Sequence, residues 1–108
     1  MKEIFECYKV DTVKLQRNDG FWLSDGCLIL RSVNVGEIVE DRYQSPYVEA
    51  RYTLSISDTE ALMKLLDADH EGLADRLKEH FDSAAALDRF KRFCDANKLD
   101  YKYQFITD

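Results

Sequence analysis

The fold of this chain is best predicted from residues 47–66, whose sequence is YVEARYTLSISDTEALMKLL. From Val48 to Ile56, apolar and polar residues alternate with a period of two, which is typical of a strand with one buried and one solvent-exposed face. The next four residues have the spacing of a capping box, in which the Ser57 hydroxyl and the Glu60 carboxylate cap the first turn of a helix. Leucines then recur at helical spacing up to the end of the stretch. A long strand that leads directly into a helix is therefore predicted.

Strands and turns are predicted before this stretch. A strand over residues 4–10 has apolar residues on both faces, so we expect it to lie inside the sheet. Residues 18–20 (Asn-Asp-Gly) and 25–26 (Asp-Gly) predict turns, because these residue types tolerate the positive φ of tight turns. Residues 27–33 predict a strand covered on both faces, and residues 37–44 fit either a short edge strand or an ordered loop.

Two more helices and a last strand are predicted after residue 66. The first helix extends over about residues 70–81, and the second begins after a cap at residue 82 or 83. Their apolar stripes consist of Leu73, Leu77 and Phe81 in the first helix and of Ala86, Leu87, Phe90, Phe93 and Cys94 in the second. The last strand, over residues 101–105, carries its aromatic residues on one face.

Several strands followed by helices and one returning strand predict an α+β fold. We expect an antiparallel or mixed sheet of about four to six strands, with three helices between the penultimate and last strands that pack on one face of the sheet. The 108 residues are predicted to form a single domain, 1–108.

The net charge of −6 restricts the partners of this chain. An acidic protein repels phosphate backbones and anionic membranes at long range, so neither nucleic acid nor a membrane is an expected partner. No stretch approaches the roughly 20 apolar residues of a membrane span, and no apolar signal region follows Met1. Cys7, Cys27 and Cys94 are widely spaced, which does not fit a disulfide framework. The sequence therefore predicts a soluble, cytoplasmic protein.

Motifs for catalysis are missing from the sequence, which has no phosphate-binding glycine loop and no serine-nucleophile motif. The two histidines, His70 and His80, are too far apart for a helical metal pair, so we expect no metal, no cofactor and no catalytic residues. An alternative is a small-molecule-binding or enzymatic domain with a pocket between helices and sheet. Its polar groups would be His80, Cys94, Tyr101 and Tyr103.

Acidic residues form two groups in the sequence. The first recurs every four residues and would form one stripe on a helix, and the second lies near two tyrosines. The first group consists of Asp67, Glu71, Asp75 and Glu79, and the second of Glu37, Glu40, Asp41 and Glu49 with Tyr43 and Tyr47. A plain solvated helix face explains the first group equally simply. Trp22 is expected in the core, or as an anchor beside the second group.

These acids suggest a small acidic protein-binding module, most consistent with a bacterial immunity or antitoxin-type inhibitor that neutralises a basic, nuclease-like toxin. A nuclease must be cationic to hold nucleic acid, so an acidic inhibitor would associate rapidly and compete for the same surface. The residues named in the two groups are the candidate partner-binding residues. A homodimer, in which the aromatic last strand pairs across a two-fold axis, is a further alternative.

Overall fold

The computed structural model describes residues 1–107 and has an α+β fold, so the predicted fold class is confirmed. Five strands form one antiparallel sheet, and they lie side by side in the order of the chain. The strands are β1 (Lys2–Asp11), β2 (Gln16–Ser24), β3 (Cys27–Val35), β4 (Tyr47–Thr53) and β5 (Lys102–Thr107). The helices are α1 (Glu37–Tyr43), α2 (Ile56–Leu65), α3 (Leu73–Phe81) and α4 (Ala86–Ala96).

The prediction of three helices, all between the last two strands, is wrong because residues 37–43 form a fourth helix, α1, between β3 and β4. These residues were expected to be an edge strand or a loop. Gly36 ends β3 with a φ of 126°, and the Ile38 N–H then donates to the Lys14 carbonyl at 3.1 Å. This contact with the β1–β2 connection fixes the first turn of α1 over the sheet.

The core lies between one face of the sheet and the helices. Strand alternation places Phe21, Leu30 and Tyr52 side by side on that face, because Phe21 pairs with Leu30 and Leu30 with Tyr52. The Phe21 ring lies 5.7 Å from the Phe81 ring of α3 and 5.5 Å from the Phe90 ring of α4, measured between centroids. The predicted apolar stripes of these two helices are therefore confirmed as core-facing surfaces.

The strand-to-helix transition occurs earlier than predicted. β4 ends at Thr53, and the helix cap is Ser55, whose hydroxyl accepts from the Asp58 N–H at 3.1 Å; Ser57 is not the cap. Leu54 is fully buried at this corner, whereas the Ile56 side chain is 53% exposed and gains little from remaining in the strand. The Thr59 hydroxyl of α2 also accepts from the Leu28 N–H at 2.9 Å, which joins α2 to β3.

The turn predicted at residues 18–20 is wrong, because these residues lie in the middle of β2. Asp19 is fully buried there, and its carboxylate accepts hydrogen bonds from Arg17 Nε and Nη2, the latter at 2.6 Å. A buried carboxylate needs such a partner, and Arg17 two residues away supplies it within the strand. The turn at residues 25–26 is confirmed, with φ values of 51° for Asp25 and 82° for Gly26.

β1 was expected inside the sheet, but it forms one edge and β5 forms the other. Its apolar residues on both faces are explained by two irregularities in its pairing with β2, which shift the alternation. As a result Cys7 is buried in the core and Phe5 and Tyr8 both pack against it. Among residues 1–107, no helix combines the length and the apolar composition that a membrane span requires.

Candidate functional site

The first acidic group does not form a stripe on one helix, so that prediction is wrong. Asp67 lies in the turn after α2 with a φ of 52°, and Glu71 lies in the turn before α3, which begins at Leu73. The Asp69 carboxylate accepts from the Gly72 N–H at 2.7 Å and so separates the two helices. Asp75 and Glu79 do lie on α3, but Glu79 forms an ion pair with Arg76 at 3.1 Å.

The second acidic group is divided by the sheet. Glu49 lies on the sheet face opposite the helices and is 2% exposed. Its carboxylate pairs with Arg51 at 2.7 Å and with Arg31 at 3.7 Å, and it accepts from the Tyr47 hydroxyl at 2.6 Å. The hydrogen bond to this carboxylate raises the pKa of Tyr47. We refer to Arg31, Tyr47, Glu49 and Arg51 as the Glu49 cluster; it is a neutralised network and is distant in role from the other acids.

The remaining members of this group share the outer side of α1. Glu37, Glu40 and Asp41 are exposed, and none of them has a Lys or Arg partner at ion-pair distance within residues 1–107. We call these three residues the α1 acidic face. Tyr43 at 43% exposure and Ile38 at 48% exposure lie on the same helix and provide apolar surface beside the acids.

The inner side of α1 faces the sheet across a cavity of about 350 Å³, which we call the α1 cavity. α1 is held over it at both ends: by the Ile38 contact with Lys14, and by the Tyr43 ring, which lies 5.7 Å from the Phe105 ring of β5. Its lining residues are Leu15, Arg17, Asn34, Ile38, Val39, Arg42, Tyr43, Val48, Ala50 and Phe105. No sequence pattern linked these positions, because they come from four strands, a loop and a helix that was not predicted.

Trp22 was expected in the core, but it lies partly exposed on the sheet face that the helices leave uncovered. The residues before and after it in β2, Phe21 and Leu23, face the helices, so alternation sends the indole to the other side. The Arg31 guanidinium stacks on the Trp22 ring at 4.8 Å from its centroid. Trp22 is therefore connected through Arg31 to the Glu49 cluster.

The pocket predicted from His80, Cys94, Tyr101 and Tyr103 does not form. The Cys94 side chain is fully buried, His80 is exposed beside the Phe93 ring, and the Tyr101 hydroxyl donates to Asp95 at 3.0 Å. The cavities of 230–580 Å³ in the described part of the chain include neither His80 nor Cys94 nor Tyr103 in their linings. A cavity between a helix and the sheet does exist, but it lies under α1.

All three cysteines are free thiols, and two of them are chemically shielded. Burial raises the pKa of Cys7 and of Cys94 to about 12 in each case. Their thiolate fraction near neutral pH is therefore about a thousandfold lower than that of an ordinary cysteine. Neither thiol is suited to nucleophilic chemistry. In residues 1–107, no three His, Cys, Asp or Glu side chains are grouped so that they could hold a metal ion.

This shielding predicts selective labelling. In the folded protein a disulfide reagent such as DTNB should react at Cys27, which is partly exposed, and in denaturant it should react at all three cysteines. Counting the released thiol chromophore, followed by peptide mapping, measures both numbers. Cys27→Ser should remove the native reaction. Rapid labelling of Cys7 or Cys94 in the folded protein would contradict the burial described above.

Comparison of the chain with protein-family models, with curated proteins and with solved structures finds no match. The functional argument therefore depends on the surfaces of this chain itself.

Proposed function

We propose that this protein is a small acidic binding module, an immunity or antitoxin-type inhibitor that neutralises a basic, nuclease-like toxin in the cytoplasm. The observation that supports this proposal best is the α1 acidic face, whose three carboxylates are exposed and lack cationic partners within residues 1–107. Glu49 and Glu79, by contrast, are already neutralised by arginines, so their contribution to attracting a partner is small.

The surroundings of the α1 acidic face suit binding to a protein. Tyr43 is exposed on the same helix, and tyrosine gives a large contact area with little loss of side-chain entropy. The net charge of −6 adds a long-range attraction for a cationic partner, which increases the rate of association more than the lifetime of the complex. Asp67, Glu71 and Asp75 are a second acidic surface, around the α2–α3 connection, and remain candidates for the edge of the interface.

The proposal predicts that charge reversal on α1 slows association. In the variant Glu37→Lys, Glu40→Lys, Asp41→Lys, the association rate with the basic partner should fall about tenfold or more at low salt, because steering is lost. The difference should shrink at high salt, where the Debye length is only a few ångströms. Stopped-flow or surface-based kinetics over a salt series measures both effects.

The partner itself is obtained by co-purification from native lysate at low and high salt, followed by mass spectrometry and a nuclease assay with and without the inhibitor. The matched control reverses Glu60, Asp82 and Asp100, which are exposed acids on separate segments of the chain. It makes the same change in net charge but should slow association much less. Equal effects of the two variants, or no basic protein retained at low salt, would refute the proposal.

A further inference from the structure

We infer that the α1 cavity binds a small amphipathic anion, with a carboxylate head and an apolar body. Its volume of about 350 Å³ falls within the range of about 300–1,000 Å³ that is usual for ligand pockets. Val39 and Val48, which are 3% and 4% exposed, contribute apolar lining together with Ala50 and Phe105. A ligand that fills this space removes apolar surface from water, which favours binding.

The lining changes from polar to apolar across the sheet. Arg17 of β2 pairs with Asn34 of β3, Asn34 pairs with Val48 of β4, and the neighbouring Ala50 pairs with Phe105 of β5. Adjacent strands lie about 4.8 Å apart, so the distance from the polar end to the Phe105 end is roughly 14 Å. This gradient matches a molecule with a polar head and a medium-length apolar tail, with the head over β2 and β3.

Hydrogen-bond donors are present at the polar end. Arg17 uses Nε and Nη2 on Asp19, and Nη2 also lies 3.4 Å from the Ala84 carbonyl, but Nη1 has no acceptor within residues 1–107. Hydrogen bonds from a guanidinium to a carboxylate are charge-assisted and are about twice as strong as neutral ones. Nη1 is therefore the donor that the ligand head would meet.

The charge of the lining also favours an anion. Arg17 and Arg42 are the charged residues that line the cavity, and no carboxylate lines it. Arg17 is balanced by Asp19 behind it, whereas Arg42 has no carboxylate at ion-pair distance in residues 1–107. In a chain with a net charge of −6, this is a locally cationic recess behind the outward-facing α1 acidic face.

The test uses octanoate as the anionic probe and 1-octanol as its neutral counterpart, titrated into the full chain and followed by calorimetry and by NMR. Octanoate should bind saturably, with the largest shifts at Asn34, Val39, Val48, Ala50 and Phe105, and 1-octanol should bind at least tenfold more weakly. Arg17→Lys keeps a cation for Asp19 but removes Nη1, and it should weaken octanoate binding about tenfold. Arg89→Ala, an exposed arginine on α4, is the matched control and should have no effect.

Ala50→Leu fills the cavity floor and should abolish binding, with a thermal unfolding curve to show that the variant is folded. Three results would overturn the inference. They are no saturable binding of octanoate, equal binding of octanoate and 1-octanol, and shifts centred on Trp22 and the Glu49 cluster on the other face of the sheet.

Discussion

Replacing Arg17 with alanine is expected to lower the free energy of unfolding by about 3–5 kcal/mol, because it leaves the Asp19 carboxylate buried without its cation. Asp19 is fully buried, and Arg17 is its ion-pair partner at 2.6 Å. The same contact raises the pKa of Arg17, chiefly through the hydrogen bond to Asp19. Since folded domains are stable by only about 5–15 kcal/mol, this loss would be a large fraction of the total. Chemical denaturation followed by circular dichroism measures it.

Two further variants test the physical reason for this loss. Arg17→Lys keeps a positive charge near Asp19 and should lose much less stability than Arg17→Ala. The double variant Arg17→Met, Asp19→Leu removes both charges, and it should be more stable than Arg17→Ala because no charge remains buried. If Arg17→Ala were as stable as the wild-type protein, Asp19 would have to be solvated, contrary to its burial.

Replacing Gly36 with alanine is expected to destabilise the protein by roughly 2–4 kcal/mol, the sum of backbone strain and a steric clash. Gly36 has a φ of 126°, a region that residues with a side chain rarely adopt. An added Cβ would lie 2.6 Å from the Lys14 carbonyl oxygen, the atom that accepts from Ile38 and fixes the start of α1. The substitution should therefore displace α1 and disturb the α1 cavity and the α1 acidic face together.

Gly72→Ala is the matched control, because Gly72 has a φ of −88° and a Cβ there would contact only the Asp69 carboxylate, at 3.1 Å. It should change the free energy of unfolding by less than about 1 kcal/mol. NMR spectra of the two variants distinguish a local displacement of α1 from general loosening. Wild-type stability with unchanged signals for Ile38 and Val39 in Gly36→Ala would show that the tight contact with Lys14 is not required.

Elements with long, regular patterns could be predicted from the sequence. The alternation after Tyr47 and the apolar stripes of α3 and α4 reflect burial over many residues, so a local error does not obscure them. α1 was missed because it has only seven residues, fewer than two full turns beyond its first, and its stability comes from Lys14 and Phe105 elsewhere in the chain. Asn18-Asp19-Gly20 misled because Arg17 satisfies Asp19 within a strand, which local turn preferences do not include.

The candidate site could be predicted only in part. Exposed acids on α1 were among the residues named from the sequence, but a spacing of four residues had meaning only if Asp67 and Asp75 shared one helix, and the Asp69–Gly72 contact separates them. Glu49 looked like its neighbours in sequence, yet strand alternation places it on the opposite face, between two arginines. The α1 cavity depends on residues from distant segments, and no local signal reports that kind of proximity.

The simple strand order has a consequence for how the chain reaches its native state. β1 to β4 can form by adding one hairpin after another, since each contact joins segments close in sequence. β5 is different, because it can join β4 only after the intervening residues 54–101 have brought its two ends together, which has a larger entropic cost. The C-terminal strand should thus be the last part of the sheet to acquire protection from hydrogen exchange during refolding, and a nascent chain on the ribosome could assemble most of its sheet before that strand emerges.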